Sequence, residues 1–342
     1  MTSNKSITEP FADRLLDWWA KHGRHDLPWQ QPRTPYRVWV SEIMLQQTRV
    51  EAVTDYFERF INTFPDLQAL ATAEIDQVLS LWSGLGYYAR ARNLHAAARI
   101  LIDEFDGQFP NTVEQLNALP GIGRSTAAAI CAQAFDLRAP ILDGNVKRVL
   151  ARHAAIEGWP GQTRVANRLW EEADIRTPEE HAADYTQAIM DLGASLCSRS
   201  RPSCSSCPVK ADCQARIQQR QHELPTPKPR KTIPERIQAF DILRNEAHQL
   251  LMVRRPPSGI WGGLWCLPEA GSLESVSAVQ SLAAPEPIRH AFSHFRLELQ
   301  FHHSLIEAED LVMNRNLQWR SIEGWLNQGI PRPIRHLLEN LQ

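Results

Sequence analysis

Apolar residues recur at three- and four-residue spacing through the first two thirds of the chain. Over residues 11–216 this spacing predicts amphipathic helices separated by prolines. Beyond them, residues 237–243, 249–253 and 294–306 have the short apolar runs of strands. A weak helix is predicted near residues 273–283. The pattern therefore predicts an all-α region followed by an α+β region.

A proline-rich, basic segment separates the two patterns. Residues 224–234 read LPTPKPRKTIP, a composition that favours an extended, stiff connector. A chain of 342 residues also exceeds one typical domain. We expect an all-α region over residues 1–217, a linker over 218–236 and a second domain over 237–342.

Charge is distributed unevenly, although the formal net charge is only −2. The segment from Met190 to Arg236 contains nine Lys or Arg residues and only four acidic residues. This excess of positive charge is compatible with phosphate binding and equally with an ordinary solvated linker. No apolar run approaches the length of a membrane span, and the first residues lack the apolar stretch of a secretory signal. We therefore expect no membrane association and a cytoplasmic protein.

Four of the six cysteines form a C-x6-C-x2-C-x5-C run. The run consists of Cys197, Cys204, Cys207 and Cys213. Four thiolates in one short loop can surround a single metal centre, and the spacing alone leaves zinc and an iron-sulfur cluster as alternatives. Cys131 and Cys266 are interpreted as core residues.

Two glycines stand in the string LPGIGRST, between two predicted helices. Gly121 and Gly123 would let the backbone approach a phosphate where the amides at the start of a helix are free. Downstream, Asp143 precedes the helix that starts in ILDGNVKRV. It is a helix cap, a catalytic anion or both, and helix amides should keep its pKa low.

Glu42 lies within a predicted helix over residues 35–48, with apolar residues one turn before and after it. A carboxyl group among apolar neighbours has a raised pKa and can hold a proton near neutrality. The pattern alone is equally compatible with a surface glutamate.

Several strings together resemble adenine DNA glycosylases of the endonuclease III superfamily. They are SEIMLQQT around Glu42, LWSGLGYY before residue 89, the LPGIGRST string and the cysteine run. The resemblance implies a helix-hairpin-helix fold and a 4Fe-4S cluster on the four cysteines. It also implies that residues 1–217 are catalytic, with Glu42 protonating adenine at N7 and Asp143 stabilising or capturing the sugar cation.

The resemblance assigns further roles. Tyr87 would wedge into the base stack with Gln47 filling the gap, Trp29 would line the adenine pocket, and Asn145 would support the catalytic pair. Gly121, Gly123 and Lys147 would contact DNA. Bifunctional relatives carry a lysine where this chain has Ser125. Because serine cannot form a Schiff base, the departure implies hydrolysis with little or no strand cleavage.

The string RRPPSGIWGGLW over residues 254–265 resembles the opening of a Nudix-like domain. Hydrolysis of a diphosphate needs closely spaced glutamates for magnesium, and the segment from residue 268 to 290 has only Glu269, Glu274 and Glu286. A nucleotide hydrolase is therefore not expected. Phe292, Ser293 and His294 instead resemble the loop with which adenine glycosylases read 8-oxoguanine.

The resemblance implies a substrate, namely duplex DNA with adenine opposite 8-oxoguanine or guanine. We expect a monomer that associates with the nucleoid when it is bound to DNA. Two alternatives remain open from the sequence: an iron-sulfur protein that binds damaged DNA without catalysis, and a bifunctional pyrimidine glycosylase.

Overall fold

The computed structural model describes residues 9–229, 232–273, 278–307 and 315–341. These residues form two compact units. The first takes in residues 9–71 and 96–229, and the second takes in the described residues of 72–95 and 232–341. The boundaries expected at residues 217 and 236 stay predictions.

Helices account for the regular structure as far as Ile217, as the sequence pattern predicted. They are α1 (Phe11–His22), α2 (Pro35–Leu45), α3 (Val50–Thr63), α4 (Leu67–Thr72), α5 (Ile75–Leu81), α6 (Ala89–Phe105), α7 (Val113–Asn117), α8 (Arg124–Phe135), α9 (Gly144–His153), α10 (Thr163–Arg176), α11 (Ala182–Ala194) and α12 (Gln214–Ile217). A 3-10 turn spans Cys204–Ser206.

α8 is the central helix of the first unit and packs against α2, α7 and α11. Every residue from Ala127 to Gln133 is buried, as expected for a helix that is enclosed on all sides. α11 in turn packs closely on α9, where a Cβ atom added to Gly193 would lie 2.6 Å from the Cβ of Asn145. A glycine is therefore required at that contact.

Two helices that carry candidate catalytic residues have well-defined starts. Thr34 caps α2 by accepting a hydrogen bond from the Arg37 amide at 3.3 Å, and Pro35 occupies the first helical position. Asp143 caps α9 by accepting from the Val146 amide at 2.7 Å. These caps fix Glu42 two turns into α2 and Asp143 at the entrance to α9.

The second unit is built on a mixed sheet. Its strands are β1 (Glu235–Arg244), β2 (Leu250–Arg254), β3 (Trp265–Cys266), β4 (Ala278–Ser281), β5 (Ile288–Ala291), β6 (Arg296–Ile306) and β7 (Leu317–Arg320), followed by the helices α13 (Ile322–Leu326) and α14 (Arg332–Glu339). The order is β3-β2-β1-β6-β4, with β5 also on β6 and β7 on β2. β1 and β6 are parallel, and the other pairs are antiparallel.

The strands expected at residues 237–243, 249–253 and 294–306 are confirmed, whereas the helix expected near residues 273–283 is wrong. Residues 278–281 form β4, which pairs with β6 at Ser281 and Ser304, and residues 274–277 lie outside the described residues. Pairing with a long neighbouring strand outweighs the weak helical propensity of this alanine- and serine-rich segment.

α5 belongs to the second unit through direct contacts. The Ser80 hydroxyl donates to the Asn327 carbonyl at 2.9 Å, and Asp76 forms an ion pair with Arg254. Trp325 is fully buried and donates its indole N–H to the Leu250 carbonyl at 2.8 Å. Within the described ranges, no helix is both long and apolar enough to cross a bilayer.

Candidate active site

A cavity of about 1010 Å³ lies in the first unit and brings together residues from α2, α8, α9 and α11. Six residues singled out in the sequence line it: Trp29, Glu42, Gln47, Ser125, Asp143 and Asn145. They come from segments up to 116 positions apart, counted from Trp29 to Asn145. The cavity is therefore the candidate active site.

Glu42 faces this cavity from α2 in surroundings that favour its protonated form. Burial raises its pKa from the ordinary 4.5 to about 7. The negative charge of Asp143 raises the pKa further, while a hydrogen bond from the Gln133 amide to Oε1, at 2.8 Å, lowers it. The prediction of a raised pKa is confirmed, and the side chain can serve as a proton donor near neutral pH.

Asp143 is surrounded by groups that stabilise its negative charge, yet burial outweighs them. The Val146 and Asn145 amides and the charges of Arg148 and Lys147 all lower its pKa, but desolvation is larger and the pKa is raised overall. The expectation of a low pKa is therefore wrong in sign. The sequence identified the helix amides correctly but could not show how far the carboxyl group lies from water.

Ser125 and Asn145 hold the loop and helix around Asp143. The Ser125 hydroxyl accepts a hydrogen bond from the Leu142 amide at 3.0 Å, directly before Asp143. Arg148 donates to the Asn145 Oδ1 at 2.9 Å and to the Cys197 carbonyl at 2.8 Å. The start of α9 is therefore tied to α8 on one side and to the cysteine loop on the other.

The hairpin between α7 and α8 has the backbone that its glycines suggested. Gly121 adopts a φ of +78°, which a side chain would disfavour, and Gly123 is the N-cap of α8 with open space where a Cβ atom would be. The first amides of a helix have no acceptor within it. This end of α8 can accept an anionic oxygen such as that of a DNA phosphate.

A buried carboxylate that the sequence analysis missed organises another wall of the cavity. Asp191 is 3% exposed and accepts hydrogen bonds from the Trp19 indole, the Arg24 backbone and guanidinium, and the Gln187 amide at 2.8 Å. Arg24 and Gln187 both line the cavity. Gln187 and Asp191 are four residues apart on α11, but Trp19 and Arg24 lie 172 and 167 positions from Asp191, so the local sequence does not reveal the cluster.

Tyr87 and Gln47 each have a backbone conformation in the left-handed region, which is uncommon for residues other than glycine. Their φ angles are +49° and +60°, and both side chains are exposed, Tyr87 by 48%. Tyr87 lies in the second unit, where Arg90 stacks over its ring at 5.4 Å. Trp29 is 3% exposed and packs on Phe57 while it lines the cavity.

The four cysteines of the run line one small cavity of the first unit. Burial, together with the charges of the other three, raises the pKa of Cys207 to about 12. Burial, together with Cys197 and Cys204, also raises the pKa of Cys213. Arg152 donates to the Cys197 sulfur at 3.3 Å. Among the described residues, no three or more acidic, His or Cys side chains are arranged to hold a metal ion. The four neighbouring thiols nevertheless form the sulfur-only donor set that thiophilic metal groups use, and a cationic centre would stabilise them as thiolates.

Ser293 and His294 lie at the tip of a tight turn between β5 and β6. The Phe292 amide donates to the Phe295 carbonyl at 2.9 Å, and the two rings stack with centroids 4.5 Å apart. Phe295 is buried, whereas Ser293 and His294 are exposed. Trp261, from the RRPPSGIWGGLW string, packs on Phe292 with 5.7 Å between the ring centroids.

Comparisons with known proteins agree with both units. Residues 40–174 match the model of the HhH-GPD superfamily base excision DNA repair protein, and residues 239–340 match that of the NUDIX domain. A thermostable thymine-DNA glycosylase is similar in structure, with a TM-score of 0.56 and 26% identity over 61% of this chain and 95% of its own. An endonuclease III–DNA complex shares the fold, with a TM-score of 0.52 and 21% identity over 61% of this chain and 94% of its own.

The helical unit, its hairpin and its cavity therefore define a DNA glycosylase of the helix-hairpin-helix class, joined to a Nudix-like domain. The adenine DNA glycosylase of Buchnera aphidicola subsp. Acyrthosiphon pisum is 36% identical over 97% of both chains. The human adenine DNA glycosylase is 34% identical over 88% of this chain and 68% of its own. The chain belongs to the adenine DNA glycosylase family, and it is an enzyme that hydrolyses N-glycosyl bonds in base excision repair.

Proposed function

We propose that this enzyme removes adenine mispaired with 8-oxoguanine, or with guanine, from duplex DNA. The observation that carries the proposal is the pairing of Glu42 and Asp143 in one cavity, with the Glu42 pKa at about 7. A base inside a duplex cannot reach such a cavity, so the adenine must be flipped out of the stack. Tyr87 and Gln47 would occupy the space it leaves, and Gly121, Gly123 and Lys147 would hold the phosphates.

The two carboxyl groups would divide the chemistry. Asp143 faces two amides and two cations, whereas Glu42 receives one neutral amide, so a single negative charge in the pair is better stabilised on Asp143. Glu42 would then donate its proton to adenine N7 and make the base a better leaving group. Asp143 would stabilise or capture the oxocarbenium sugar, and water would complete the hydrolysis.

The wall formed by Gln187 suits adenine in particular. Both Asp191 oxygens accept hydrogen bonds from Trp19 and Arg24, and the Gln187 amide also directs its N–H towards Oδ1. This leaves the Gln187 carbonyl oxygen as a hydrogen-bond acceptor. An acceptor matches the exocyclic amine of adenine and opposes the carbonyl that guanine carries at that position. Trp29 would supply an aromatic surface to the base.

Ser125 supports a monofunctional reaction. Its hydroxyl is already used by the Leu142 amide, and no amine is present at this position to form a Schiff base. We therefore expect an abasic site as the product, with little or no strand cleavage.

Ser293 and His294 would read 8-oxoguanine from the second unit. Both side chains are exposed at the tip of a turn that is fixed by the stacked Phe292 and Phe295 rings. Hydroxyl and imidazole groups can hydrogen-bond to the N7–H and O8 atoms that distinguish 8-oxoguanine from guanine.

Cys197, Cys204, Cys207 and Cys213 would hold a 4Fe-4S cluster, as the sulfur-only donor set favours. Bound there, the cluster would cross-link the loop that also carries Arg199, a residue of the cavity wall. Iron analysis of the purified protein should give about four atoms per chain. Stoichiometric zinc would refute the cluster proposal.

The proposal is tested by base release from duplexes with adenine opposite 8-oxoguanine, guanine or thymine under single-turnover conditions. Adenine should be released from the first two, and strands should break only after alkali treatment. Breakage without alkali would indicate a lyase, and binding without release would indicate a damage-binding protein.

A further inference from the structure

Gln133 is a buried polar residue that the proposed chemistry does not yet use. It lies on the alanine-rich helix α8 and is 4% exposed. Its side-chain Nε2 donates a hydrogen bond of 2.8 Å to Oε1 of Glu42 on α2. Burying an amide is costly without a partner, and Gln133 ends a buried stretch of α8 whose other residues, from Ala127 to Ala132, are apolar. The hydrogen bond to Glu42 offsets this cost.

The direction of this hydrogen bond constrains the acid. The carbonyl oxygen of a protonated carboxyl group is a much better acceptor than its hydroxyl oxygen, so the Gln133 N–H favours the state in which Oε1 carries no proton. In the protonated form of Glu42 the acidic proton is therefore favoured on Oε2. A glutamate without this contact could place its proton on either oxygen and rotate its carboxyl group.

We propose that Gln133 is a positioning residue of the glycosylase reaction, which confines the proton of Glu42 to Oε2 and fixes the plane of the carboxyl group for transfer to the base. The inference rests on the proposed role of Glu42 as the general acid. Gln133 itself does not contact the base; it acts through Glu42.

The pH dependence of the reaction reports on this contact, because the hydrogen bond stabilises the ionised form and lowers the pKa of Glu42. The helices packed on α2 are α3 and α8. The other charged residues around the cavity are Arg24, Arg49, Glu51, Asp143, Arg148 and Arg199. Of these, Asp143 raises the Glu42 pKa. All of them are retained when Gln133 is replaced, so a change in the pH profile isolates the amide.

The test replaces Gln133 with methionine, which keeps the length of the side chain and lacks the N–H. Single-turnover adenine release is measured from pH 5.5 to 9.5 for the wild type and the variant. The plateau rate should fall roughly two- to tenfold, the range that one hydrogen bond covers. The alkaline limb of the profile, where the rate falls as Glu42 loses its proton, should move to higher pH by about half to one unit, because ionised Glu42 loses its hydrogen-bond donor.

Two controls separate positioning from folding. Thermal unfolding curves of the wild type and the variants give an assay temperature at which all of them are folded. If the Gln133→Met variant is unfolded at that temperature, Gln133→Leu provides a second variant of similar volume. In a Glu42→Gln background, Gln133→Met should cause no further loss of rate, because the acid it positions is absent. A purely structural role would lower the rate equally in both backgrounds.

An unchanged alkaline limb in the variant would overturn the inference. A shift to lower pH would also overturn it, because the amide would then present its carbonyl oxygen to Glu42 and hold the proton away from the base. If Glu42 is not the general acid, the results differ from these. The wild-type profile would then have no alkaline limb, or the Glu42→Gln variant would release adenine at a near-normal rate.

Discussion

Replacement of Glu42 by glutamine keeps the shape of the side chain and removes its proton. At the pKa of about 7, about half of the Glu42 side chains are protonated at pH 7, compared with about 0.3% at the ordinary value of 4.5. Burial therefore increases the available acid roughly 150-fold at that pH. Complete removal of a general acid costs about 10²–10⁴-fold in rate, and we expect a loss in this range.

The same change should alter the pH profile. The active, protonated form of Glu42 is present below pH 7 and is lost as the pH rises through about 7, so wild-type single-turnover rates should fall about tenfold per pH unit on the alkaline side. The residual rate of Glu42→Gln should lack this limb. DNA affinity, measured by fluorescence anisotropy on the same duplex, should remain close to that of the wild type.

The substitution should also stabilise the protein in alkaline solution. Because the folded-state pKa of about 7 exceeds the ordinary 4.5, Glu42 makes its most favourable contribution below pH 4.5 and loses it as the pH rises to 7. At pH 8 the variant should therefore have a larger free energy of unfolding, by at most about 3 kcal/mol. Two results would refute the assignment of a buried proton donor. One is a variant that excises adenine at the wild-type rate. The other is a free energy of unfolding, measured with denaturant, that does not increase relative to the wild type between pH 5 and pH 8.

Further substitutions test the rest of the site. Asp143→Asn should lower single-turnover release by a similar 10²–10⁴-fold through loss of the negative charge, with DNA binding retained in the anisotropy assay. Gly193→Ala should crowd Asn145, which should lower the stability by about 1–3 kcal/mol and the melting temperature by several degrees, and slow excision. An unchanged melting temperature and excision rate would show that α11 can move to make room for the methyl group. The Ser293→Ala/His294→Ala double variant should lose about 1–3 kcal/mol of preference for 8-oxoguanine over guanine, with little change on the guanine duplex. An equal loss on both duplexes would mean that the turn supports folding or general binding.

The sequence predicts those parts of the site that depend on local pattern. The periodicity of residues 35–48 placed Glu42 among apolar neighbours but left a surface glutamate as an equal alternative, and the resemblance of SEIMLQQT to adenine DNA glycosylases decided between the two. The raised pKa of Glu42 agrees with that choice. The position of Asp143 before a helix identified the cap, which the structure confirms, because a cap depends only on groups within about one helical turn.

Properties that depend on long-range packing could not be predicted in this way. The Asp143 pKa is raised because other segments exclude water from it, and no spacing near residue 143 reports that. Asp191 and Gln133 were missed because each is hydrogen-bonded to a distant residue: Trp19 on α1 lies 172 positions from Asp191, and Glu42 on α2 lies 91 positions from Gln133. β4 was mistaken for a helix because its conformation is set by pairing with β6 rather than by its own residues.

The turn that carries Ser293 and His294 draws its order from its immediate surroundings. The Phe292–Phe295 hydrogen bond, the stacked rings and the β5–β6 ladder all lie between residues 288 and 299. A turn that is already ordered loses little conformational entropy when it meets its ligand, which favours affinity. Outside this segment, Trp261 packs on Phe292 and β1 pairs with β6. The segment should therefore keep its shape when it is grafted onto an antiparallel hairpin of the same register that has a neighbouring strand and an aromatic residue beneath the turn. The proposed reader of 8-oxoguanine could thus be moved to another protein without the enzyme that now carries it.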